Sequence, residues 1–381
     1  MLNNAVEIPV YYVRGGTSTG VIINRSDLPA DKHQIEAILT NIMGAEDDEK
    51  NSQITGLGRI IPTSNKVFIV DVTDKSKMQV RSELAQLAYN RTSVDWNVNC
   101  GNMTSAIPLY LLESGELEFN DGYNKIDIYN VNTDKTASAY VSVKDNQIAG
   151  SCKIPGVIGD YPQIELELND PEGSKTGMVF PTGNLTDVID GVEVTCMDVS
   201  VPMVIIPARA VGKTGYESGD ELNDSEFINK IKSIWIQAGQ LMKLKNSEGR
   251  LMTDEELANS ETIPKVCIVS EPVNGGHIST RYFTPQKMHS SLAVSGGACL
   301  AASAIMPGTV ANQLCQHSDE HFSDRDSVAI DIENPAGVLE TEIIKHDGKI
   351  ISVKYKRSAQ ILMKGFAKAY NLDKELSEFY P

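Results

Sequence analysis

A chain of 381 residues with 41% hydrophobic and 22% charged side chains has room for two or three domains at roughly 150 residues each and the composition of a soluble globular protein, not of a fibrous or wholly disordered one. Its 34 basic and 51 acidic residues leave a net charge of −17, which repels phosphate backbones and anionic membranes, so nucleic acid is not expected as a partner. No apolar run approaches the ~18 residues of a membrane span, the opening MLNNAVEIPV lacks the marks of a secretion signal, and a cytoplasmic location with no membrane partner is expected.

The first half reads as a sheet. EIPVYYVRGG from Glu7, GVIIN from Gly20, KVFIVDV from Lys66, KIDIYNVN from Lys125, TASAYVSV from Thr136 and QIAGSCKI from Gln147 are β-rich runs bounded by Gly, Asn and Asp. Between them a helix runs from Asp31 to Gly44 with Ile35, Ile38, Leu39 and Ile42 on one face, and another begins just after Cys100. PEGSKTGMVFPTGN, from Pro171 to Asn184, concentrates Pro, Gly and Ser and is taken as the domain crossing, dividing the chain into 1–182 and 183–381. Beyond it VEVTCMDVS and MVIIPARAVG read as strands, and Phe227, Ile231, Ile234, Ala238 and Leu241 step at helical spacing. KVCIVS, STRYF, a helix after Cys299, SVAIDIEN and a hairpin turning at Asp347-Gly348 follow. Ala359 to Met363 is expected to open a last amphipathic helix.

Six cysteines (Cys100, Cys152, Cys196, Cys267, Cys299 and Cys315) form no C-x-x-C pair and read as free thiols of a reducing compartment. CGNMTSAIP from Cys100 and CLAASAIMP from Cys299 echo one another: each cysteine precedes Ser-Ala-Ile, and each has a proline eight residues on. The echo fits either a duplication or two unrelated small-residue helices. GGTSTG at Gly15 to Gly20 lacks the Lys-Ser or Lys-Thr of a phosphate loop, and GLGRI at Gly56 lacks the third glycine of a dinucleotide fingerprint. His317 and His321 stand four apart but in a polar stretch, so no zinc site is supported.

Three residues have settings in which chemistry competes with an ordinary structural role. Cys100, where NVNCGN gives way to small residues, is either a buried helix cap or a thiol whose thiolate is stabilised by unpaired backbone N–H groups. Lys66 is either a solvated strand end or, if dehydrated or set beside another cation, a base near neutrality. Arg14 is either a surface arginine or a fork for a carboxylate.

Taken together, YVRGGTSTG followed by DLP, QITGLGRI, PTSNKVFIV, NCGNM, PTGN and HSSLAVSGGACLAASAIMPGTVANQ resemble the successive motifs of the PrpF-type isomerases, in order from Tyr12 to Gln313. That family includes 2-methylaconitate isomerase, 3-methylitaconate Δ-isomerase and 4-oxalomesaconate tautomerase. The resemblance implies an α/β (α+β) chain of two pseudo-symmetric diaminopimelate epimerase-like domains. Each would be a curved sheet around a central helix, supplied by the CGNM and GGACLA segments, with the site between them.

It further implies that Lys66 removes an allylic proton and Cys100 is its acid partner, or the reverse, on a small unsaturated di- or tricarboxylate such as 2-methylaconitate. Arg14, Thr17, Ser18, Ser64, Asn99, Gly101 and Asn102 would hold the substrate carboxylates, with Arg281 and Cys299 from the second domain and His289 as a further contributor. Helix N-termini would stabilise the dienolate, no metal or organic cofactor is implied, and a homodimer is the default assembly. This chain departs from the family at Thr19 and Thr55, where lysine and aspartate are common, and at Asn65, an extra residue before Lys66. The rivals are an amino-acid epimerase or racemase working with two cysteines, and a non-catalytic carboxylate-binding relative. Gly-Asn-Met after Cys100 and Leu-Ala-Ala after Cys299 argue against the first, and intact Lys66 and Cys100 against the second.

Overall fold

In the computed structural model, which describes residues 5–96, 99–246, 248–260, 262–284, 287–316, 326–372, 376 and 379–380, strands and helices follow one another in the same order twice. The chain divides into two units, Met1–Leu166 with Arg357–Pro381 and Glu167–Lys356. The first contains β1 (Val6–Gly15), β2 (Ser18–Asn24), α1 (Lys32–Met43), β3 (Lys66–Asp74), β4 (Gln79–Ala88), β5 (Arg91–Asp95), α2 (Gly101–Thr104), α3 (Ile107–Ser114), β6 (Gly122–Asn130), β7 (Lys135–Lys144) and the short β8 (Gln147–Ile148) and β9 (Ser151–Cys152). Then come β10 (Tyr161–Asn169), β11 (Asp187–Ile189), β12 (Val192–Val199), β13 (Val201–Pro207), α4 (Gly219–Leu222), α5 (Ser225–Leu241), α6 (Asp254–Asn259), β14 (Lys265–Ser270), β15 (Ile278–Thr284) and β16 (Lys287–Met288). The chain closes with α7 (Val294–Ile305), α8 (Val310–Leu314), β17 (Ser327–Asn334), β18 (Gly337–His346) and β19 (Lys349–Ala369).

In the first unit β1 and β2 pair antiparallel, β2 and β3 parallel, β3 and β4 antiparallel, β4 and β6 parallel, and β6 and β7 antiparallel. In the second, β12, β13, β14, β15, β17 and β18 repeat that succession of senses. One helix follows the second strand of each series (α1 or α5), and another precedes the fifth (α2–α3 or α7). The chain therefore contains a structural repeat, although the two cysteine segments sit differently in it, Cys100 before α2 and Cys299 within α7.

Side-chain alternation decides which helix covers which face. On β13, Met203 and Ile205 join the core around α7, while Val204 and Ile206 join the core around α5. In the first unit Val67 and Ile69 of β3 pack with Ile35, Ile38 and Leu39 of α1. That helix has both of its expected ends: the Asp31 side chain accepts from the Gln34 N–H, and Gly44 takes a left-handed φ of 68°. On α5 the expected stripe is buried except at its last member, Leu241, which is 47% exposed.

Two sequence expectations meet a different structure. Ala359 to Met363 is strand, not helix, with Tyr12 opposite Met363 and Val13 opposite Ile361. Cross-strand hydrogen bonds to β1 satisfy this backbone, and Leu362 and Met363 lie exposed, so no helical face is buried here. The Pro- and Gly-rich stretch around 182/183 lies inside the second unit, whose borders fall within β10 and β19. That stretch is held to the sheet by the fully buried carboxylate of Asp198, which accepts from Ser174 Oγ, the Lys175 and Thr176 N–H groups and Thr176 Oγ1 at 2.6–2.9 Å. Among the described residues no helix is long and apolar enough to cross a membrane.

Candidate active site

The tight β1–β2 turn carries the GGTSTG motif, and steric room explains its glycines. A Cβ on Gly15 would lie 2.4 Å from the Asn102 carbonyl oxygen, one on Gly16 2.2 Å from Asn102 Oδ1, and one on Gly20 2.4 Å from the Lys66 carbonyl oxygen. Gly16 also has a φ of 52°. The motif thus brings the start of α2 and the start of β3 against β2. Asn102 Nδ2 donates to Thr17 Oγ1 at 3.1 Å, the Cys100 thiol to Ser18 Oγ at 3.8 Å, and Thr19 Oγ1 to Ser64 Oγ at 3.1 Å.

Cys100 caps α2 as the sequence suggests, is part-exposed, and donates its backbone N–H to Asn99 Oδ1 at 2.7 Å. Gly101 follows as the first helical residue, but the helix breaks after Thr104 and resumes at Ile107. Lys66, the first residue of β3, is buried, and its Nζ donates to Gln86 Oε1. Arg14 is buried as well. Its Nη1 donates to the carbonyl oxygens of Gly16 at 2.9 Å and Ser358 at 3.0 Å, and its Nε to Gln360 Oε1 at 3.3 Å. Nη2 is buried with no hydrogen-bond partner. Burial pushes this guanidinium below its ordinary pKa, opposed by Tyr161 and Cys152.

Arg14 and Lys66 therefore share an uncommon property: both are buried cations whose hydrogen bonds run only to neutral oxygens, with no carboxylate paired to either among the described residues. A desolvated charge without a counter-ion is costly, and such groups mark functional sites. Thr17, Ser18, Ser64, Asn102 and Cys100 lie in the same unit, linked through the β1–β2 turn and the start of β2.

In the second unit Arg281 of β15 is likewise buried, donating from Nε to the Glu217 carbonyl oxygen at 2.6 Å and from Nη1 to that of Thr280 at 3.0 Å. Burial lowers its pKa as well. The His289 ring stands edge-on to Tyr282, and its Nδ1 accepts from the Ser291 N–H at 3.0 Å. Cys299 corrects an expectation. The helix begins at Val294, so this cysteine stands inside α7 rather than at its mouth, fully buried and donating to the Met197 carbonyl oxygen at 3.7 Å. Burial pushes its thiol well above the ordinary range. Gly296 and Gly297 serve packing, since a Cβ on Gly296 would lie 2.3 Å from the Tyr282 ring.

Sequence reasoning missed Gln86, Tyr161, Ser358 and Gln360. Gln86 was findable only by pairing QVRSELAQLA with KVFIVDV across the intervening turn, and the others reach Arg14 from distant segments. His317 and His321 lie outside the described residues. Among those described, no cluster of His, Cys, Asp or Glu has the grouping of a metal site.

The PrpF protein family model matches residues 5–370. The 4-oxalomesaconate tautomerase of Pseudomonas putida is 32% identical over 361 residues, 94% of this chain and 95% of its own. Among solved structures, a methylitaconate-delta-isomerase matches with a TM-score of 0.80 and 27% identity over 98% of each chain. A hydroxyproline epimerase from Agrobacterium vitis, at 10% identity and a TM-score of 0.55 over 98% of this chain and 95% of its own, shares the fold. With a repeated, sheet-rich α+β architecture related to the diaminopimelate epimerase-like fold and a family match along nearly its whole length, this chain is an isomerase of the PrpF family.

Proposed function

We propose that the protein is a cofactor-independent isomerase that shifts an allylic proton in a small unsaturated di- or tricarboxylate, with Lys66 and Cys100 as the acid/base pair. The observation that carries this reading is the pair of buried, unneutralised cations, Arg14 and Lys66, in a chain of net charge −17. Acidic side chains are plentiful, yet among the described residues none is paired with these two, which leaves both groups for an anionic ligand. The relatives named above carry oxalomesaconate and methylitaconate in their names, and such unsaturated acids suit the same chemistry.

A carbon–hydrogen bond allylic to a carboxylate-bearing alkene is acidified because its electrons spread through the alkene into the carboxylate. One member of the pair takes that proton, the dienolate charge gathers on the carboxylate that Arg14 binds, and the other member returns a proton at the far carbon. Atoms and electrons balance without an oxidant. Thr17, Ser18, Ser64 and Asn102 supply hydroxyl and amide groups for the remaining carboxylate oxygens. Two-cysteine epimerase chemistry would need a second accessible thiol, and burial of Cys299 weighs against it.

The test is incubation in D₂O with 2-methylaconitate, cis- and trans-aconitate, methylitaconate, oxalomesaconate and diaminopimelate, following deuterium entry at carbon by NMR. Exchange into an unsaturated acid, abolished by Lys66→Ala and by Cys100→Ala, is expected. Exchange only into diaminopimelate, or exchange that survives either substitution, would overturn the proposal.

A further inference from the structure

We infer that Gln86 is the positioning residue of Lys66, and that a buried amide pair, Gln53 and Asn65, fixes the turn that presents both. The inference rests on the reading of Lys66 as a proton-transfer residue. Lys66 and Gln86 are register partners across β3 and β4, and Lys66 Nζ donates to Gln86 Oε1. The other end of that amide is fully occupied: Nε2 faces the carbonyl oxygens of Pro62 at 3.2 Å, Asn65 at 2.9 Å and Leu87 at 3.1 Å. Turning the amide over would set its oxygen against three acceptors, so Oε1 is committed to the lysine.

The carbonyl oxygen of Asn65 also accepts from the Leu87 N–H at 2.9 Å, which ties the turn to β4. Asn65 is 1% exposed and Gln53 2%. Gln53 Nε2 donates to Asn65 Oδ1 at 2.7 Å and to the Met43 carbonyl oxygen at 3.0 Å, while its Oε1 accepts from the Ile60 N–H at 2.5 Å. A Cβ on Gly58 would lie 2.1 Å from Gln53 Nε2 and 2.3 Å from Asn65 Oδ1. That gives GLGRI a function unrelated to nucleotides: its second glycine leaves space for the amide pair. Asn65, the residue before Lys66, supplies both the side chain that meets Gln53 and the carbonyl that orients Gln86.

Glutamine suits this post because its oxygen is neutral. It aims the ammonium without supplying a counter-charge, and the positive field remains available to a substrate carboxylate.

The experiment uses the full chain labelled with [ζ-¹⁵N]lysine, recording the slowly exchanging ammonium cross-peak of Lys66, assigned by its loss in Lys66→Ala. The peak is expected in wild type, and absent in Gln86→Met and in Gln86→Asn, whose side chain is one methylene too short. Both of the latter should melt within roughly 4 °C of wild type and lower the deuterium-exchange kcat about 10- to 100-fold with KM little changed. A peak unmoved in Gln86→Met and Gln86→Asn, or no held ammonium in wild type, overturns this inference alone. Deuterium exchange retained in Lys66→Ala overturns the reading of Lys66 itself, and the inference with it.

Discussion

The guanidinium carbon of Arg14 lies 4.7 Å from the centroid of the Tyr161 ring, while Nη1 is held by two backbone carbonyls at 2.9 and 3.0 Å. Ring face and carbonyls fix the plane of the fork, and Nη2 is buried with no hydrogen-bond partner. Arg14→Lys cannot span the same partners. Its KM for the acid identified by deuterium exchange is expected to rise about 10- to 100-fold, with a smaller rise, about 2- to 5-fold, in Tyr161→Leu. Steady-state kinetics on both variants checks this, and an unchanged KM in Arg14→Lys would remove Arg14 from the site.

Binding groups held without counter-ions lower the stability of the unliganded protein. Lys66→Met is therefore expected to melt at or above the wild-type temperature in plain buffer. A ligand at 100 times its Kd stabilises wild type by about 2.7 kcal/mol, and this gain should largely vanish in the variant. Calorimetry with and without the substrate acid decides it: a variant that melts lower yet keeps the full ligand shift contradicts the idea.

Asp198 is a structural counterpart, a fully buried carboxylate satisfied by four donors from one loop. Asp198→Ala orphans those donors and is expected to cost roughly 3 kcal/mol or more. The loop around Lys175 should then become the first site of tryptic cleavage. Urea melts and a timed digest test this, and a digest pattern like wild type would show the loop to be held by other contacts.

The thiols should separate by burial. Burial raises Cys267 to about 12 and Cys299 well above the ordinary thiol range, so neither gains appreciable thiolate between pH 7 and 9. Their labelling by iodoacetamide should stay negligible and flat with pH in the native protein, whereas Cys100, which is part-exposed, is expected to be labelled. Cys299→Ala is expected to keep activity at a cost of about 1 kcal/mol in stability, and Cys100→Ala to lose activity. Mass-spectrometric mapping of the labelled thiols and an exchange assay on each variant supply the check. Loss of exchange in a folded Cys299→Ala would restore that residue to the chemistry.

Elements written in local signals are legible in the amino-acid order alone. Asp31 and Gly44 bound α1 because an acceptor side chain and a positive φ are properties of single positions. Asp347 and Gly348 turn the last hairpin with φ values of 50° and 76° for the same reason. The repeat is not legible there, because sheet topology is kept by pairing sense and helix placement more than by residue identity.

What the sequence determined by itself was the alternation of strands, the caps and turns, the family, and the residues Lys66, Cys100 and Arg14 as candidates. What only the tertiary structure decided was everything set by partners far apart in the chain. Ala359 to Met363 became strand because β1 offered its backbone hydrogen bonds; Cys299 lost its expected place because α7 began five residues earlier, inside a core. Gln86 acquired its role through the register of β3 and β4, and Arg14 its unpaired Nη2 through Gly16 and Ser358. Local preference acts over a few residues, whereas desolvation and cross-strand hydrogen bonding depend on which segments arrive together, and that information is spread over the whole chain.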